Sequence, residues 1–135
     1  MTPADELLSL PMLQSDQVTD TLHAYQLAKR GNSLRVMAEA VRWGRRGARV
    51  NTISPGIIST PMSLQELEEG AGDAMRQQLA LSALPRMGTA DDIAAAVEWL
   101  ASPAASFVTG CDLRIDGGVT AAIHGLGLGL GMKPA

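Results

Sequence analysis

Arg49-Val50-Asn51-Thr52-Ile53-Ser54-Pro55-Gly56 is the stretch on which the fold turns. Gly47 and Pro55 bound the run Ala48 to Ser54, and Val50 and Ile53 give it the character of a short buried strand. A second run, Phe107 to Ile115, alternates, with Cys111, Leu113 and Ile115 on one face and Asp112 and Arg114 on the other. The residues between the two runs read as helix. Strands joined by helical crossovers pair in parallel, which makes this an α/β chain with two strands and flanking helices. Two strands are too few for a parallel sheet, because such sheets are covered on both faces. The sequence therefore looks incomplete, with one edge of the Val50–Ser54 strand left unpaired.

Upstream, Thr2, Pro3 and Asp5 read as the start of a short helix that fades by Pro11. Ser15 or Asp16 can cap a much longer helix running to about Arg46, with Gly47 as its left-handed stop. Leu27, Leu34, Ala38 and Val41 keep helical spacing along it. Downstream, Met62 to Leu84 is acidic and helical, split by Gly70-Ala71-Gly72, and reads as a lid. Thr89-Ala90-Asp91-Asp92 is a capping-box-like start, and Ser102-Pro103 stops the helix that follows. Asp116-Gly117-Gly118 closes the second strand in a tight turn.

Composition excludes several classes of function. Of 135 residues, 46% are hydrophobic and 19% charged, a globular balance. A net charge of -3 argues against a nucleic-acid partner held through phosphates. Arg42, Arg45, Arg46 and Arg49 cluster, an arrangement that suits the C-terminal dipole of a helix better than an anion. Cys111 is the single cysteine, so neither an internal disulfide nor a thiolate zinc site is expected. His23 and His124 lie far apart, and no metal centre is expected. The N-terminus lacks the features of a signal peptide, and no apolar window is long enough to span a bilayer. A cytoplasmic setting follows as the expectation.

The chemistry centres on Tyr25, the one tyrosine, and Lys29, one of two lysines. Four residues apart on a helix they share a face. An ammonium beside a phenol stabilises the phenolate, which suits the phenol to proton transfer. Tyr25-Gln-Leu-Ala-Lys29 on a long helix resembles the Tyr-x-x-x-Lys motif of the short-chain dehydrogenase/reductase family. The later text follows that family in order: Arg49 to Gly56, Thr60, Arg86-Met87-Gly88, Asp91-Asp92-Ile93-Ala94, Ser106 to Gly110, then Asp116-Gly117-Gly118. The similarity runs from about Leu22 to Val119.

The resemblance implies the C-terminal half of a Rossmann-like, doubly wound parallel sheet. It divides the chain into an insertion-like helix and loop at 1–20, a catalytic half at 21–119 and a Gly/Leu-rich tail at 120–135. It implies NAD or NADP as cofactor and a secondary alcohol or ketone as substrate. Tyr25 would be the acid/base, and Lys29 would support it and hold the nicotinamide ribose. The backbone at Ile58, after Pro55-Gly56, would hold the carboxamide, and the Thr60 hydroxyl would meet the carboxamide or pyrophosphate. A dimer or tetramer is implied, with Ala24, Ala28 and Gly31 allowing close approach of a second long helix.

Two departures stand out. The glycine-rich nucleotide loop is absent, as is the residue that selects NAD or NADP. Met12 occupies the place where the family keeps a catalytic serine, and neither Ser9 nor Ser15 sits in the family's context. The Gly125–Gly131 run has the wrong glycine spacing for a nucleotide loop and reads as a flexible or subunit-contacting tail. The alternative function is a truncated, inactive chain that serves at most for association.

Overall fold

A computed structural model describes residues 2–3, 5–69 and 72–125. Two 3-10 turns, Leu7–Ser9 and Pro11–Leu13, stand where the sequence suggested a short helix. The reason is local. Leu10 precedes a proline and sits at φ -63, ψ 136, outside the helical region, so the first turn cannot continue. Gln14 ties the pair together by donating to the carbonyls of Leu8 and Leu10.

Helix α1 spans Thr21–Gly44 and is capped by Asp20, whose carboxylate accepts from the His23 N–H at 2.8 Å. Ser15 and Asp16 are not the cap. All three residue types cap well, and the turn from Gln14 to Val18, closed by N–H bonds of Gln17 and Val18 to Gln14, moves the helix start past them. The helix ends two residues before Arg46, and Gly47 takes the left-handed φ of 74 expected of it.

Strand β1 (Thr52–Pro55) pairs in parallel with β2 (Asp112–Ile115), Thr52 opposite Asp112 and Pro55 opposite Ile115. Both are shorter than the sequence suggests. Ahead of Thr52 the regular ladder is interrupted by a side chain: the Asn51 amide donates to Val108 O and accepts from Cys111 N–H. Gly110, at φ 74, ends the run on the other strand. Alternation survives in β2, where Leu113 and Ile115 are half-buried while Asp112 and Arg114 are exposed. Phe107, expected in the strand, is 101% exposed.

Helices α2 (Pro61–Glu68), α3 (Gly72–Leu81) and α4 (Ala90–Ala101) make the crossover. The α2–α3 break falls where the glycines placed it, and Gly70 and Ala71 lie outside the described residues. The Thr89–Asp92 capping box opens α4 as expected, and Ser102 closes it. A further helix, α5 (Val119–Gly125), runs into the stretch read from sequence as tail. Its cause is Asp116, whose carboxylate accepts from the N–H groups of Gly118 and Thr120 and so starts the helix. The rest of the glycine run, 126–131, lies outside the described residues.

Helix α1 meets the sheet through Met37 and Ala40, which crowd Gly110 so closely that a Cβ there would lie 2.9 Å from the Ala40 Cβ. Arg49 does serve a helix C-terminus, but that of α4: its guanidinium donates to Leu100 O at 2.6 Å and to Val108 O at 3.0 Å. Arg42 pairs instead with Glu39 within α1. Among the described residues Ala105 is the only buried hydrophobic side chain. A hollow lined by Arg49, Asn51, Ile53, Val97 and Leu100 runs beside β1.

Candidate active site

The residues singled out by sequence fall into two groups. Pro55, Gly56, Ile58 and Thr60 form one continuous loop at the end of β1. Tyr25 and Lys29 share a face of α1. Among the described residues no hydrogen bond or ion pair joins the two groups.

The loop is held bond by bond. Pro55 ends β1 opposite Ile115, and the Gly56 N–H donates to Ile115 O at 2.9 Å, extending the pairing by one step. A side chain at Gly56 has no room, since a Cβ would lie 2.6 Å from the Asp116 Cα. The chain then makes a single parallel bridge, Ile58 to Gly88. Gly88 N–H donates to Ile57 O at 2.9 Å, and Ser59 N–H donates to Gly88 O at 2.8 Å. In such a bridge the flanked residue's own N–H and C=O point away from the partner. The Ile58 carbonyl accepts from Ser63 Oγ at 2.6 Å, and the Ile58 N–H has no acceptor among the described residues. Thr60 caps α2: its Oγ1 accepts from Ser63 N–H, and its own N–H donates to Ser63 Oγ. Behind the loop lies a cavity of about 150 Å³ bordered by Ile57, Leu79, Leu84 and Ile115.

Tyr25 is held differently. It is 59% exposed, and the Lys29 Nζ sits 5.3 Å from its ring centroid, over the aromatic face. That distance is within the range of a cation–π contact. One turn of helix places the two side chains together, as the spacing requires.

Charge around the loop is arranged to steady it. Arg86 grips both carboxylate oxygens of Asp92, at 2.8 and 3.1 Å. Asp92 also accepts from the Thr89 N–H at 2.7 Å. The Arg86 hydrogen bond, then that of Thr89, holds the Asp92 carboxyl well below the usual carboxylate range, and Asp92 raises Arg86 in return. Asp116 is also lowered. Its partial burial opposes ionisation, but hydrogen bonds from Thr120 and the Gly118 N–H, with the charge of Arg114, outweigh that burial. Among the described residues no group of three or more His, Cys, Asp or Glu side chains is placed to hold a metal ion. Nor is any helix there long and apolar enough to cross a membrane.

Sequence reading passed over Ser63, which organises the loop after β1, and Asn51, which organises the opposite end of the sheet. A signal for Ser63 was present, since Thr60-x-x-Ser63 has capping-box spacing with serine in place of the usual Glu or Gln.

Comparison with known proteins agrees with the fold. The family profile described as Enoyl-(Acyl carrier protein) reductase matches residues 1–120. A short-chain dehydrogenase/reductase of Alternaria brassicicola, bsc3, is 36% identical over 120 residues, covering 89% of this chain and 43% of that protein. Galactitol 2-dehydrogenase (L-tagatose-forming) of Cereibacter sphaeroides is 43% identical over 83 residues, 62% of this chain and 32% of its own length. Among solved structures, 4-hydroxyisoleucine dehydrogenase complexed with NADH superposes with a TM-score of 0.64 at 32% identity, covering 73% of this chain and 40% of that one. An Agrobacterium tumefaciens protein described as a 2-deoxy-D-gluconate 3-dehydrogenase, with bound NADP, gives 0.64 at 33% identity, with 73% and 39% covered. The chain thus spans less than half the length of each relative. With its parallel strand pair, flanking helices and motifs in register, it belongs to the short-chain dehydrogenase/reductase family, whose members use NAD or NADP, and carries the C-terminal part of the family's Rossmann-like fold.

Proposed function

We propose that this chain supplies the proton-transfer pair and the nicotinamide end of an NAD- or NADP-dependent oxidoreductase acting on a secondary alcohol or ketone. The observation that carries the reading is the exposed Tyr25 with the Lys29 ammonium over its ring. Tyr25 Oη gives a proton to a substrate carbonyl oxygen in reduction and takes one from a hydroxyl in oxidation. The nicotinamide, when bound, supplies or receives the hydride.

The residues present fit that group. Ile58 offers an N–H that no other described residue uses, in a loop whose neighbouring peptides are already bonded, and an amide oxygen is its natural partner. Lys29 offers ammonium donors to a ribose. Pro55 and Gly56 set the path of the loop. The Thr60 hydroxyl is engaged with Ser63, so its contact with a carboxamide or pyrophosphate replaces its bond to Ser63 Oγ.

We place these functions within 21–119, with 1–20 leading in and 120–135 trailing. A dimer or tetramer is supported by the small residues Ala24, Ala28 and Gly31 on α1, since a Cβ at Gly31 would meet nothing within 4 Å. The lone Cys111 suits a cytoplasmic setting. One observation favours a second reading, association without catalysis: the described residues bury almost no core.

The test is Tyr25→Phe in the full-length protein. Turnover should fall about 10²–10⁴-fold, with the dissociation constant of NADH or NADPH little changed. Near-normal turnover removes Tyr25 from the mechanism.

A further inference from the structure

Ser63 is a hub that the proposed mechanism does not use. Its hydroxyl donates to Ile58 O at 2.6 Å and accepts from the Thr60 N–H at 2.9 Å and from the Thr60 hydroxyl at 3.1 Å. Ser63 and Gly88 between them hold three consecutive peptide planes. The Ile57–Ile58 plane is held at its carbonyl by Gly88 N–H, and the Ile58–Ser59 plane by Ser63 at one end and Gly88 O at the other. The Ser59–Thr60 plane is held at its N–H by Ser63. In these three planes the one N–H without a partner among the described residues is that of Ile58.

We propose that Ser63 is a positioning residue that aims the Ile58 N–H at the nicotinamide carboxamide, an inference that rests on reading this loop as the carboxamide site. Without its hydroxyl, two of the three planes each lose a bond. The Ile58 carbonyl and the Thr60 N–H would then turn toward water. The rotation this allows at the Ile58 Cα would leave the free donor's plane steadied by its one bond to Gly88. Serine suits the place because one oxygen both gives and accepts within a single turn.

A pair of ligands separates positioning from simple structural support. NADH or NADPH carries the carboxamide, and the matching ADP-ribose lacks the nicotinamide altogether. Dissociation constants for both would be measured in the full-length protein and in Ser63→Ala and Ser63→Thr. Ser63→Ala should weaken the reduced cofactor about tenfold, the loss of one well-made hydrogen bond, and leave ADP-ribose unchanged. Ser63→Thr, which keeps the hydroxyl, should restore the difference. Equal weakening of both ligands, or no weakening of either, overturns the inference. If the alanine variant does not fold, Ser63→Cys keeps the size and weakens the donor, and the same discrimination is required of it. A full-length protein that binds neither ligand overturns the reading of the site itself, which is a separate failure.

Discussion

The loop from Gly56 to Thr60 and the helical turn from Tyr25 to Lys29 are built to opposite degrees of self-sufficiency. In the loop, backbone groups bond to Ile115, Gly88 and Ser63, and Gly56 packs too tightly against Asp116 for any side chain. At the turn, a single cation–π contact joins two side chains on an exposed helix. The proposed cofactor end of the site is thus fixed by contacts local to this chain. The proposed proton-transfer end is positioned by the helix alone, with nothing among the described residues enclosing it. A cation–π contact at an exposed position contributes only about 0.5–1 kcal/mol, too little to fix a phenol for chemistry without surrounding packing.

Substitutions on the two sides should therefore fail in different ways. The larger effect is expected at the turn. Lys29→Ala removes a charge and, on the proposed reading, a ribose donor, and the loss of a charge-assisted hydrogen bond should then weaken NADH or NADPH binding about ten- to a hundredfold. Stability should hardly change, because Lys29 is exposed. Unaltered cofactor affinity in the variant would confine Lys29 to the proton-transfer role.

On the loop side, Gly56→Ala should act through packing. A Cβ there would meet the Asp116 Cα at 2.6 Å and the Asp116 Cβ at 2.8 Å, both on a turn that is itself bonded in place. Overpacking of this kind costs about 1–3 kcal/mol, visible as a lower midpoint in thermal unfolding of the full-length protein. An unshifted midpoint would show that the loop yields more easily than its bonds suggest.

How much of this was legible in the sequence follows the same division. Tyr25 and Lys29 could be read because helical spacing alone brings them together. The Thr89–Asp92 cap of α4 and the glycine stops at Gly47 and Gly117-Gly118 were equally local. What escaped depended on partners distant in sequence. Asn51 shortens β1 by bonding Val108 and Cys111, and Arg49 crosses to α4, and neither bond has a local signature. The cap of α1 was missed for another reason: Ser15, Asp16 and Asp20 are chemically equivalent choices, and only the turn at Gln14–Val18 decides between them. Ser63 was overlooked because a serine at that place in a capping box is easily taken for a plain surface residue.

The smallest effect is expected with acid. Asp92 is held below the usual carboxylate range, so its ionised form favours the folded state. That contribution is complete above an ordinary carboxylate value of about 4 and is lost as pH falls below it toward the lowered folded value. Unfolding midpoints followed from neutral pH into acid should decline less steeply in Asp92→Asn than in the unsubstituted protein. The difference should be small, since Asp92 and Arg86 are both solvent-accessible and water screens the pair. A steep acid limb that survives Asp92→Asn would place the responsible carboxylate elsewhere, with Asp116 the next to examine.

The contrast between a self-sufficient loop and an unenclosed turn meets its most direct test in fluorescence titration of the 135-residue chain with NADH and NADPH. Dinucleotides bind mainly through phosphates cradled at a glycine-rich helix start, and this sequence contains no such loop. Each 1.4 kcal/mol of lost contact costs about tenfold in affinity, so the nicotinamide end alone should give no saturation in the micromolar range. Saturable micromolar binding by a cooperatively folding chain would contradict this division, because the turn and loop would then form a complete site without further enclosure.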